Sequence, residues 1–109
     1  MDFGKIEYIL FEARNPGGEA RKLRLTLVGQ GDESALKEGG LAGLRKRRIV
    51  RLTHEAKRQG SLLSYEDLAG LLLTSLATLK RDIRHLEDMG HFVPVRGRKI
   101  NGNGNGDAA

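Results

Sequence analysis

Between Ser75 and Leu86 the chain reads Ser-Leu-Ala-Thr-Leu-Lys-Arg-Asp-Ile-Arg-His-Leu. Wound into a helix, this order separates two chemistries. Leu79, Ile83 and Leu86 recur at steps of three and four and fall on one side. Ala77, Lys80, Arg81 and Arg84 fall on another, and Asp82 is turned away from them. A helix that enters the major groove needs small residues at its leading end and cations that reach base edges and phosphates. The face therefore suits binding of duplex DNA. Arg81 and Arg84 would reach bases, Thr78 and Lys80 would contact the backbone, and Ser75 and Ala77 would sit at the end of closest approach.

Two further groups of cations stand apart from this helix. Arg45, Lys46, Arg47 and Arg48 fall in the first two turns of a helix starting near Ala42, where the helix dipole disfavours cations by roughly 0.3–1 kcal/mol each. Local stability does not account for them. Phosphate contact does, with a solvated basic cluster as the alternative. Arg96, Arg98 and Lys99 flank Gly97 at the expected tip of a wing, from which they would reach an adjacent groove or backbone, or form an exposed basic tail. Leu76 is an aliphatic residue near the groove-facing start of the helix. Core or interface packing is the favoured reading for it, and contact with a thymine methyl the other.

Other chemistries find no support in the residue order. His54, His85 and His91 lack metal-ligand spacing with one another or with an acidic partner. Gly39-Gly40-x-x-Gly43 is not followed by the Lys-Ser/Thr of a phosphate loop. Neither a Ser-His-Asp order nor a carboxylate pair suited to general acid–base work is present. The expectation is therefore a non-enzyme with no cofactor, no metal and no small-molecule ligand.

The elements that position these residues follow from local signals. Ser64-Tyr65-Glu66-Asp67 reads as an N-cap with acidic residues in the first turn of a helix through about Leu72. Ser75 caps the next helix, Leu76 to Met89, and Gly90 stops it. Leu68, Leu72, Leu79, Ile83 and Leu86 face inward, with Ala69 at the close crossing of the two helices. Many such pairs carry Gly four residues after that alanine. Leu73 stands there, so the turn is strained or of a longer type. Ahead of this pair a helix from about Ala42 to Gln59 presents Ile49, Leu52 and Ala56 on one face, with Gly60 as its C′ residue. Gly29 to Gly40 reads as a loop around a short helix capped by Asp32 or Ser34. Residues 5–28 read as a β-hairpin turning at Arg14–Glu19, because Lys22 to Val28 alternates with period two. A helical reading of the first run remains, since Phe3, Ile6, Leu10 and Ala13 also have helical spacing. Phe92–Val95 is expected as a short strand leading to the wing at Gly97.

With 109 residues there is room for one small domain. The absence of cysteine suits a reducing compartment, and neither a membrane-spanning stretch nor a secretory signal is visible. The net charge of +5 is unevenly spread. Residues 1–40 carry −1, residues 41–60 carry +6, residues 61–93 carry −2 and residues 94–109 carry +2. Such concentration of positive charge indicates a polyanionic partner, with a solvated basic face as the alternative.

The segment Asp67-Leu68-Ala69 through Ser75 to Leu86 and Gly90 resembles the helix-turn-helix of winged bacterial and archaeal regulators. Its Ser-x-x-Thr-(apolar)-x-Arg-Asp-(apolar) string is similar to the recognition helix of deoxyribonucleoside-repressor-like proteins. More closely, Arg48-Ile49-Val50-Arg51-Leu52-Thr53-His54-Glu55-Ala56, Gln59-Gly60, Leu63-Ser64, Glu66-Asp67-Leu68-Ala69 and Pro94-x-Arg96-Gly97 resemble an uncharacterised prokaryotic family. Its members are longer proteins of unknown function with a helix-turn-helix, and the resemblance covers about residues 20–98. It implies a fold more firmly than a function.

The combined expectation is α+β. Residues 1–40 form a β-hairpin and connecting loop, residues 41–99 a three-helix winged helix-turn-helix, and residues 100–109 a disordered Asn/Gly tail. The expected function is sequence-specific binding of double-stranded DNA in transcriptional control, in the cytoplasm and on the nucleoid. The alternative is a winged-helix module that docks another protein. A homodimer through the hairpin or the 41–60 helix is the expected assembly.

Overall fold

A computed structural model describes residues 6–14 and 17–97. It is an α+β arrangement, a two-stranded antiparallel hairpin followed by three helices. Strand β1 spans Glu7–Arg14 and β2 spans Ala20–Val28. Their pairing runs from Arg14 opposite Ala20 through Phe11 opposite Leu23 to Tyr8 opposite Thr26, with an irregularity between Glu7 and Tyr8. The period-two pattern thus decides the first run in favour of strand over helix. Ile9, Phe11, Ala13, Leu23 and Leu25 share the inner face, and the last three are fully buried. Asn15 and Pro16 of the expected turn lie outside the described residues, as does the Asn/Gly tail.

Helix α1, Asp32–Arg58, contains the short helix and the long one that the sequence suggested, joined through Gly40. There φ is 68° and ψ is −161°, which glycine adopts without a Cβ clash. The expected cap is corrected, because Gly31 holds the N-cap position in a left-handed conformation and neither Asp32 nor Ser34 does. Asp32 enters the first turn and its carboxylate accepts the Gly29 N–H. At the other end Gln59 closes the helix and Gly60, at φ 87°, lets Ser61 N–H reach back to Ala56 O.

Helix α2, Tyr65–Leu72, starts with a complete capping box between Ser64 and Asp67. Helix α3, Leu76–Asp88, starts at Ser75, whose hydroxyl accepts the Thr78 N–H, and ends in a glycine-assisted turn at Gly90. The three residues between α2 and α3 turn through Leu73, which takes the left-handed conformation itself, φ 54° and ψ 49°. It is the non-glycine residue with positive φ among those described, and its side chain is 92% exposed.

All these elements close over one core. Leu23 and Leu25 from the hairpin meet Ile49, Leu52 and Ala56 of α1, Leu68 of α2, and Leu79, Ile83 and Leu86 of α3. Val93 and Val95 seal one end. The expected strand at Phe92–Val95 is not formed among the described residues. Among the described residues a single backbone bond, Arg96 N–H to Leu63 O at 2.8 Å, joins this stretch to the segment ahead of α2. One bond is too few for a ladder, and burial of Val93, Pro94 and Val95 fixes the chain instead. His54 adds to this by its ring nitrogen against Phe92 O at 2.8 Å.

Candidate nucleic-acid interface

The outward side of α3 carries Ala77, Lys80, Arg81, Arg84 and Asp88, all exposed. Ala77, Arg81, Arg84 and Asp88 follow the i, i+4, i+7, i+11 order of one helical stripe, so Asp88 marks where the cationic part ends. Lys80 sits to one side, its ammonium 5.4 Å from the centre of the Tyr65 ring. Neither Arg81 nor Arg84 has an ion-pair partner among the described residues. Ser75 and Thr78 are engaged with each other at the helix start, where Ser75 Oγ lies 3.1 Å from Thr78 Oγ1. Both keep lone pairs for a further contact.

Asp82, the carboxylate inside the cationic string, is only 4% exposed. Arg45 of α1 donates to both of its oxygens. This hydrogen bond holds the Arg45 pKa above its ordinary value, against the opposing effect of burial. Beside it Lys46 Nζ donates to Nδ1 of His85, so two successive residues of the basic run dock on two successive turns of α3.

A second carboxylate gathers the rest of the run. Asp32 receives Arg51 Nη1 at 2.7 Å and Arg47 Nε at 3.2 Å, and Arg48 Nε lies 3.5 Å away as an ion pair without a hydrogen bond. Arg51 also donates to Thr26 O and Leu27 O, and Arg47 to Gln30 O. Burial pushes the Asp32 carboxyl up. The Arg51 hydrogen bond, the Gly29 N–H and the charges of Arg51 and Arg48 outweigh that and hold it below its ordinary value. Arg45 to Arg48 therefore all have partners inside the molecule. The helix-dipole argument missed these partners because they lie 15 to 39 residues away in sequence. Arg96 is likewise tied back, its guanidinium 3.6 Å from Asp67 at the start of α2. Arg98 and Lys99 lie outside the described residues.

The structure thus brings Arg45, Lys46 and α3 together through Asp82 and His85, sets Arg47 and Arg48 at Asp32, and sets Arg96 at Asp67. Sequence reasoning overlooked Asp32 and Arg51 as charged anchors. The available signal was an acid directly after Gly29-Gln30-Gly31 on one side and a dense basic run on the other.

These features describe a small α+β protein whose first helix is locked to its third by charge. Residues 16–105 match the family described as Protein of unknown function (DUF1670), and the chain belongs to that family. This agrees with the resemblance to an uncharacterised family. No curated protein and no solved structure matches the chain. No helix among the described residues is long and apolar enough to cross a membrane.

Proposed function

We propose that this chain binds double-stranded DNA as a winged helix-turn-helix, with α3 as the recognition helix, in control of transcription. The observation that carries this reading is the state of the charges on α3. Arg81 and Arg84 are exposed on the outward stripe and have no ion-pair partner among the described residues, while Asp82 is buried and neutralised by Arg45. A surface arginine without a carboxylate partner keeps its five N–H donors for phosphate oxygens and guanine edges. The three-residue turn between α2 and α3 and the bond from Arg96 to Leu63, the pairing a wing makes with the segment between the first two helices, support the fold part of the reading.

Lys80 with Thr78 and Ser75 would hold the backbone beside the groove. Arg47 and Arg48 share Asp32 and still have donors to spare, so phosphate contact and internal pairing are compatible for them. Alanine at Arg81 or Arg84 is the direct test, read as affinity for duplex DNA. Loss of about 1–3 kcal/mol with relaxed base preference supports base contact. An equal, sequence-blind loss from both assigns them to phosphates.

One observation favours the protein-docking alternative. Leu73 is 92% exposed and Leu76 is 39% exposed, and both lie at the leading end of α3. An adaptor would use such apolar residues and would show no affinity for DNA at low salt.

A further inference from the structure

The hairpin has two edges, and they are treated differently. The β2 edge is covered by α1. Arg24 N–H donates to Gln59 Oε1 at 2.9 Å, Gln59 Nε2 returns to Arg24 O at 2.8 Å, and Thr26 N–H donates to Glu55 Oε1 at 2.8 Å. Among the described residues the sheet has two strands, and β1 has no strand on its other side. It is eight residues long and rich in apolar groups, and Leu10 is 75% exposed. Tyr8 is 49% exposed on the same outer face, and inner-face Ile9 and Phe11 are only half-buried. An uncovered apolar edge of this length is a template for another strand.

We propose that β1 pairs antiparallel with β1 of a second copy, on a two-fold axis at Leu10, to make a four-stranded sheet across two chains. A two-fold interface must be self-complementary. Opposed residues must also lie on the same face of the sheet, which allows only registers whose paired numbers sum to an even value. Centring on Leu10 meets both conditions. Ile9 then opposes Phe11 on the inner face, extending the cores of both copies. On the outer face Leu10 opposes Leu10, and Tyr8 opposes Glu12, whose carboxylate can accept from the phenol. Glu7 meets Ala13, so no like charges are opposed. Centring on Phe11 instead sets Leu10 against Glu12, and centring on Ile9 sets Glu7 against Phe11, each placing a carboxylate against a large apolar group, while centring on Tyr8 or Glu12 separates the apolar centre. The β2 edge offers no comparable site because Gln59 and Glu55 already occupy its backbone groups. The inference stands independently of DNA binding.

Sedimentation of the full chain tests it, with the weight-average mass expected to double from 12.0 kDa as concentration rises from micromolar to hundreds of micromolar. Leu10→Lys sets like charges directly opposite and is expected to hold the protein at monomer mass with an unchanged far-ultraviolet spectrum. A second variant fixes the register independently. The chain has no cysteine, and across the axis the Cα–Cα distance of either antiparallel pair type falls in the disulfide range. Leu10→Cys is therefore expected to cross-link two copies on mild oxidation, while Tyr8→Cys alone and Leu41→Cys at another exposed site remain largely uncross-linked. A monomer at every concentration overturns the proposal. So does a dimer that survives Leu10→Lys, or one that cross-links no better at position 10 than at position 41.

Discussion

Arg45 and Asp82, 37 residues apart, are joined by a two-pronged contact in which Nε and Nη2 of the guanidinium each meet one carboxylate oxygen. The carboxylate is nearly inaccessible and the arginine side chain is 23% exposed. Removing the cation leaves a buried charge with nothing to neutralise it, which costs about 3 kcal/mol or more. Arg45→Ala is expected to lower stability by that amount in urea unfolding. Arg45→Met with Asp82→Leu should recover most of the loss, since an apolar pair of similar volume needs no desolvation. Arg81→Ala, at an exposed position of the same helix, should change stability by no more than about 0.5 kcal/mol.

Asp32 carries a pH dependence of definite sign. Burial raises its pKa, and the Arg51 hydrogen bond, the Gly29 N–H and the neighbouring charges of Arg51 and Arg48 lower it further than burial raises it. The folded value therefore lies below the unfolded one. The stability this gives is complete above the unfolded value of about 3.9 and is lost as pH falls through the folded value. Unfolding free energy should be flat from neutral pH to about pH 5 and decline steadily below it. Asp32→Asn should remove this acid-sensitive component and lower stability at neutral pH, because Arg47, Arg48 and Arg51 would then repel one another.

Leu73 holds a left-handed conformation that a Cβ disfavours by roughly 1–2 kcal/mol. Its side chain packs on little, being almost wholly exposed. Leu73→Gly is expected to raise the midpoint of thermal unfolding, by a net gain of about 1 kcal/mol or less once the freedom of glycine in the unfolded chain is counted. A variant that is more stable yet weaker in binding a partner would place Leu73 on a working surface.

The helix pair does not stand alone. In a fragment of residues 61–93, Asp82 would lack Arg45, and Leu79 and Ile83 would lack Ile49 and Leu52. Helices of 8 and 13 residues are marginal in water without packing. The fragment should show little helix by circular dichroism and no measurable DNA affinity.

Most of what depends on neighbouring residues was legible in the sequence, the N-cap of α1 excepted, which Gly31 holds in place of Asp32 or Ser34. Ser64 and Ser75 as caps, Gly60 and Gly90 as stops, the break at Gly40 and the inward Leu68, Leu79, Ile83 and Leu86 are local signals, and the structure contains them. The hairpin was legible because period two is unambiguous in β2. Contacts made across the chain were not. Asp32 reads as a helix cap until α1 brings three arginines to it, and Arg45 reads as a free cation until α3 presents Asp82. The expected strand at Phe92–Val95 had the right residues, but strand formation needs a ladder partner, and among the described residues the neighbouring backbone bond is that of Arg96 at Leu63.

The claim that α3 is a DNA-reading surface is tested most directly by titrating the full chain onto random duplex DNA at 50 and 200 mM salt. Binding through about six phosphate contacts predicts measurable affinity at 50 mM and a loss of roughly a thousandfold at 200 mM. Arg81→Ala should weaken binding in the same titration. Absence of binding at 50 mM salt, or binding indifferent to both salt and Arg81, would contradict it.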